Sequence, residues 1–200
     1  MLICLVCTKQ IPDSLHRSHK QYCINCSQML DGQGIRFSCG SSLYPYKGIF
    51  RELILRAKVG GDQRLLRALV DLCLEHPYTK RELDYCEEVM PVPSSFSGRL
   101  RGSTDIAYFV ARECAYRFEK RLSLAPFGGY WRCFKRSKQK QRVALRLNFP
   151  RRRDSIPTLL IDDVITTGYS LLQLAFKLEK SQCRFLTLGD AYSTREYQLE

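Results

Sequence analysis

The sequence predicts an α/β protein in which a parallel sheet flanked by helices follows a small cysteine-held ribbon. Three observations carry that prediction. Two Cys-x-x-Cys pairs lie within the first thirty residues. A short apolar strand over 87–93 runs through a polar loop into an amphipathic stretch over 104–122. An apolar run over 157–161 meets two acids and a Thr-Thr-Gly turn before a second helical pattern. Strand, loop and helix in that order, twice, are the units of a parallel sheet. The expected organisation is a ribbon over residues 1–40 and an α/β domain over 41–200.

Composition narrows the classes. The 200 residues include 44% hydrophobic and 26% charged side chains, an ordinary globular balance. No apolar run approaches the ~20 residues needed to span a bilayer. The segment Met1-Leu2-Ile3-Cys4-Leu5-Val6-Cys7 is too short for a signal peptide and lacks a basic start, so a cytoplasmic protein is expected. With 32 Lys plus Arg against 20 Asp plus Glu, the net charge is +12. Such an excess implies an anionic partner: nucleic acid, a phosphorylated metabolite or a membrane surface. Ten cysteines without a secretory signal suggest metal ligation for some and reduced, buried thiols for the rest.

In the ribbon, Cys4-x2-Cys7 and Cys23-x2-Cys26 are separated by fifteen residues. Each pair can bend a knuckle that points two thiolates at one ion, and two knuckles complete a tetrahedral S4 site suited to zinc. A redox pair and an iron–sulfur site are the alternatives, but neither pair opens a helix after a strand as the redox reading needs. His16 and His19 lie between the knuckles and read as solvated loop residues. Too short to bury a core of its own, the segment depends on its metal to fold. Its cations are few (Lys9, Arg17, Lys20 and nearby Arg36), so a structural ribbon is preferred to a nucleic-acid-binding one.

Residues 47–76 read as helical, with Phe50, Leu53, Ile54 and Ala57 on one face, a break at Gly60-Gly61, then Leu65, Leu66, Leu69, Val70, Leu72 and Cys73. Cys39, Cys73, Cys86, Cys114, Cys133 and Cys183 show no ligand spacing, and core packing is the expectation for each. Glu87 to Pro93 reads as a short buried strand. A helix is expected from about Thr104 to Leu122, with Ile106, Phe109, Val110 and Cys114 as its stripe.

Pro157-Thr158-Leu159-Leu160-Ile161 reads as a strand that ends in Asp162-Asp163. Val164-Ile165-Thr166-Thr167-Gly168-Tyr169-Ser170 then leads into a helix carrying Leu171, Leu174, Ala175 and Leu178. Carboxylates at the carboxyl end of a central strand stand where open α/β sheets bind ligands. A loop of Thr, Gly and Ser entering a helix offers backbone N–H groups and hydroxyls to an anion. Two acids beside a phosphate cradle repel the phosphate unless the ligand also brings hydroxyls or a cation. A ribose 5-phosphate brings both a phosphate for the cradle and hydroxyls for the carboxylates.

The stretch Leu159-Leu160-Ile161-Asp162-Asp163-Val164-Ile165-Thr166-Thr167-Gly168 resembles the phosphoribosyl-pyrophosphate signature of type I phosphoribosyltransferases. That resemblance implies a type I phosphoribosyltransferase-like sheet in which Asp162 and Asp163 hold the ribose hydroxyls. It also implies that Thr166, Thr167, Gly168, Tyr169 and Ser170 bind the 5-phosphate. The wider order of features is a four-Cys ribbon, Tyr46-Lys47-Gly48 with a helix ending in Lys58, Pro91-Val92-Pro93, Arg99-x-Arg101-Gly102 and then the signature. In that order the chain resembles the competence protein ComF family, whose members place a phosphoribosyltransferase-like domain behind a zinc ribbon. The family resemblance implies handling of imported single-stranded DNA during natural transformation, with a helicase or other DNA-uptake proteins as partners. It departs at Ser103-Thr104-Asp105, where members usually read Phe-Asn-Gln, and in the compressed Gln141, Arg146 and Asn148.

Between Arg132 and Arg153 there are ten Lys or Arg and no acid, with Trp131, Phe134 and Phe149 among or beside them. Cations alternating with rings suit unpaired bases, and the same cations suit a pyrophosphate. A solvated basic loop with Trp131 and Phe149 tucked into the core is the third reading. Two function classes therefore stand. One is a DNA-uptake protein that binds phosphoribosyl pyrophosphate. The other is an active transferase that moves ribose 5-phosphate to a nitrogenous acceptor, with magnesium and Arg99 and Arg101 on the pyrophosphate and Asp162 and Asp163 favouring positive charge on the ribose.

Overall fold

The computed structural model describes residues 2–4, 9–11, 23, 26, 30, 34–93, 103–125, 156–177 and 182–191. At the amino terminus, β1 (Leu2–Ile3) and β2 (Gln10–Ile11) pair antiparallel, with Leu2 opposite Ile11. The chain then enters β3 (Ile35–Phe37) and β4 (Gly40–Pro45), two arms of a tight hairpin. Residues 35–37 and Gly40, on the ribbon side of the boundary expected at residue 40, are thus part of the main sheet.

Three helices follow. The first, α1 (Gly48–Gly60), buries Phe50, Leu53, Ile54 and Ala57 at the spacing of one helix face and closes on Gly61 in the left-handed region, φ 60°. Next, α2 (Gln63–Glu75) starts on Asp62, whose carboxylate accepts from the Arg64 and Leu65 amides at 3.0 and 3.2 Å. Then α3 (Pro77–Asp84) opens with a proline at its first position, and His76 Nδ1 accepts from the Tyr78 amide at 3.2 Å.

After them, β5 (Glu88–Pro91) leads towards α4 (Ile106–Arg117), which Asp105 caps by accepting from the Tyr108 amide. The helix expected to reach Leu122 stops at Arg117. Glu119 takes a left-handed φ of 52° and turns the chain, so Arg121–Leu122 become β6, paired parallel to β5. The remaining elements are β7 (Thr158–Ile165), α5 (Tyr169–Lys177) and β8 (Cys183–Asp190). Here too the strand differs from expectation. It does not end at the acidic pair but runs through it to Ile165, because Val164 and Ile165 continue the ladder opposite Gly189 and Asp190.

The six-stranded sheet has the order β3-β4-β8-β7-β5-β6, parallel except for the β3–β4 hairpin. Its central strands are apolar on both faces, as a sheet covered by helices on both sides requires. Leu159 and Ile161 join a large core with Leu53, Ile54, Leu69, Val110 and Leu186. Leu160 and Phe185 face the other way, towards Leu171, Leu174 and Ala175 of α5. Cys73, Cys86, Cys114 and Cys183 are buried, as small apolar residues would be, whereas Cys39 is half-buried. Burial pushes the Cys86 thiol up to about 11, so it is protonated at neutral pH.

Gly40 shows how closely β4 meets β8. A Cβ there would stand 2.3 Å from the Phe185 carbonyl oxygen and 2.7 Å from its ring. Backbone cannot step aside as a side chain can. Gly40→Ala is expected to destabilise by about 1–3 kcal/mol, the usual cost of overpacking. Chemical denaturation measures it, and unchanged stability would show that the two strands can part without loss.

Candidate functional site

The strands β4, β8, β7 and β5 run parallel, so their carboxyl ends share one edge of the sheet. That edge carries the acidic pair. Asp162 and Asp163 are both half-buried, and each is braced by the next amide in the chain. The Asp163 N–H donates to Asp162 Oδ1 and the Val164 N–H to Asp163 Oδ1, both at 2.8 Å. Beyond them Thr166 and Thr167 are exposed, Gly168 is buried with φ 67°, and Tyr169 and Ser170 are exposed on the first turn of α5. Gly168 makes the turn possible, since a side chain rarely accepts that conformation. Its carbonyl takes the Leu172 amide at 3.0 Å, which places the loop directly at the helix amino terminus. Thr167 Oγ1 accepts from the Tyr169 amide at 3.4 Å. The structure therefore gathers all seven predicted residues from Asp162 to Ser170 in one strand–loop–helix corner.

Sequence reasoning missed one residue here. Lys58, in the last turn of α1, forms an ion pair with Asp163 through Nζ and Oδ2. Burial alone would lower the ammonium's pKa, but the charge and hydrogen bond of Asp163 outweigh it and hold Lys58 above its ordinary range. Asp162 behaves differently. Burial, and then the neighbouring Asp163 charge, push its carboxyl well above the usual carboxylate range. The Lys58 carbonyl also accepts from the Thr104 amide at 2.9 Å, which ties α1 to the segment that enters α4. The available signal was a lysine in a helix's last turn shortly before Gly60-Gly61.

Two buried hydroxyls lie in register with Asp162 on the next two strands. Thr187 of β8 stands opposite Asp162 on one side and Ser42 of β4 on the other. Both side chains are buried, and neither hydroxyl has a hydrogen-bond partner among the described residues.

A second cluster sits at the amino terminus. The thiols of Cys4, Cys23 and Cys26 lie within 4.8 Å of one another, close enough to bind a metal ion. The Cys23 N–H donates to Cys4 Sγ at 3.3 Å, and Ile49 of α1 packs against the cluster. Cys4 and Cys26 are buried and Cys23 half-buried, so three soft donors converge where water is largely excluded. Cys7, His16 and His19 lie outside the described residues, as do Arg99, Arg101, Trp131, Cys133 and the basic stretch from Arg132 to Arg153.

Among the described residues no helix is long and apolar enough to cross a membrane. A scan against protein-family models and a search of curated proteins find no match to the chain.

Proposed function

We propose that this is a phosphoribosyl-pyrophosphate-binding protein of the ComF type, with a type I phosphoribosyltransferase-like domain that works on imported single-stranded DNA. The carrying observation is the corner from Asp162 to Ser170. Two braced carboxylates in the carboxyl-terminal half of a central parallel strand are followed within three residues by a Thr-Thr-Gly turn at a helix amino terminus. Ribose hydroxyls donate to the carboxylates, and the 5-phosphate accepts from the loop amides and the hydroxyls of Thr166, Thr167 and Ser170. Magnesium accompanies the pyrophosphate, with Arg99 and Arg101 as its protein cations. In the ribbon, Cys4, Cys23 and Cys26 hold a structural zinc with Cys7 as the fourth thiolate, in keeping with the soft donor set. The basic stretch and its rings supply the single-strand contacts, and a helicase is the expected kind of protein partner.

The test is ligand-induced stabilisation. At a hundredfold excess over Kd, magnesium phosphoribosyl pyrophosphate is expected to stabilise the protein by about 2.7 kcal/mol. The double substitution Asp162→Asn with Asp163→Asn should abolish that shift. The free variant should still fold, and pH dependence shows why. A carboxyl raised in the folded state contributes stability that is fully present below its unfolded value and lost as pH rises through the folded one. At neutral pH Asp162 is therefore a burden on the free protein, and Asp162→Asn removes it. Retained ligand stabilisation in the double variant would refute the assignment. Pyrophosphate release over a panel of bases and single-stranded DNA then separates the two classes, since turnover with a small base identifies a transferase.

A further inference from the structure

The acidic pair poses an electrostatic problem that the sequence alone leaves open. Two adjacent carboxylates stand beside a loop suited to phosphate, and like charge repels a polyanion most strongly where water is partly excluded. The structure contains a counter-charge from a distant part of the chain. Lys58 is separated from Asp163 by 105 residues in sequence, yet its ammonium meets Oδ2 at a part-buried position. The lysine is anchored from both ends. Gly61 closes its helix, and its carbonyl holds the Thr104 amide. The ionisable groups acting on it are Asp163, Asp162 and the Tyr46 hydroxyl.

We infer that Lys58 is a positioning residue for the sugar-phosphate site: it fixes the Asp163 carboxylate and cancels its charge, so that the pair can accept ribose hydroxyls without repelling the attached phosphates. The inference rests on the phosphoribosyl reading above and adds the residue that makes an acidic pair tolerable to an anionic ligand. Its ammonium needs no direct contact with the ligand. The helix face of α1 carries it to the sheet edge as a fixed internal cation, with no bound ion required for that one charge.

Three proteins test this: the full-length wild type, Lys58→Met and Lys58→Arg, each titrated calorimetrically with magnesium phosphoribosyl pyrophosphate from pH 6 to 9. Lys58→Met is expected to weaken binding about tenfold or more at pH 8, with the loss shrinking towards pH 6 as the unpaired carboxylates take up protons. Lys58→Arg should recover most of what Lys58→Met loses, because a guanidinium also pairs with a carboxylate. In the free proteins, carboxyl carbon NMR should show the acidic pair titrating at higher pH in Lys58→Met than in wild type. That readout needs no ligand and separates the electrostatic role from simple loss of packing. If the wild type binds no phosphoribosyl pyrophosphate, the reading of the site fails. If the wild type binds and Lys58→Met binds equally well, or weakens by the same factor at every pH, the role assigned to Lys58 fails. An unshifted carboxyl titration in a folded Lys58→Met overturns it as well.

Discussion

Purified protein is expected to carry about one equivalent of zinc, and Cys26→Ser or a strong chelator should remove it and unfold the segment around β1 and β2. The expected effect is large. Structural zinc supplies about 10–16 kcal/mol of apparent binding free energy in small modules, and there it is folding free energy. Among the described residues this segment's ladder is the two-residue pair β1–β2, and Ile49 from α1 packs against its thiols. Hydrogen exchange of the Cys4 and Cys23 amides reads the outcome directly, since the first donates to the Lys9 carbonyl and the second to Cys4 Sγ. The main sheet should lose only what Ile49 contributes. Zinc content below about half an equivalent with every cysteine intact would end the proposal, as would unchanged exchange after chelation.

The second large effect is expected at Glu82. This α3 side chain is 1% exposed, yet it is a carboxylate. It accepts from Ser41 Oγ at 2.7 Å and from Arg184 Nε at 2.5 Å, joining α3 to the first residues of β4 and β8. Arg184 in turn lays its guanidinium over the Tyr85 ring at 5.1 Å. Glu82→Ala removes the acceptor for both donors and leaves a half-buried cation without its partner. Breaking a buried pair in this way costs about 3–5 kcal/mol, and the part of Arg184 that reaches water places this case near the lower end. Glu82→Gln keeps the shape and the Ser41 bond, so it should lose markedly less. Equal losses for the two variants, measured by urea denaturation, would mean that the charge pairing with Arg184 alone, and neither packing nor the Ser41 bond, holds α3 to the sheet.

Much of this architecture was legible in the residues. The break between α1 and α2 falls beside Gly60-Gly61, where it was expected, because glycine accepts the left-handed turn that ends a helix. The corner from Asp162 to Ser170 was legible because its chemistry is local, a strand, a turn and a helix start within nine residues. What escaped was whatever depends on partners far away in sequence. The hairpin β3–β4 has little apolar alternation, and its strand state follows from pairing with β8. No local signal told that Arg121–Leu122 would leave the helix for β5, or that α3 would follow His76 so closely. Lys58 could be recognised as the end of a helix but not as the partner of Asp163, and nothing near Glu82 announced a buried acid. Long-range ion pairs leave no periodicity to read.

The place of β8 has a consequence for how the chain is made. It is the latest of the described strands in sequence, yet it lies between β4 and β7, with Thr187 opposite both Ser42 and Asp162. During synthesis, β4 and β7 therefore emerge with bare edges and no neighbour for each other until residues 183–190 leave the ribosome. Unpaired edges of this kind invite pairing between chains. A ribosome stalled before residue 183 should hold a nascent chain that needs chaperone protection, and emergence of residues 183–190 should let the two halves of the sheet zip together in one late step.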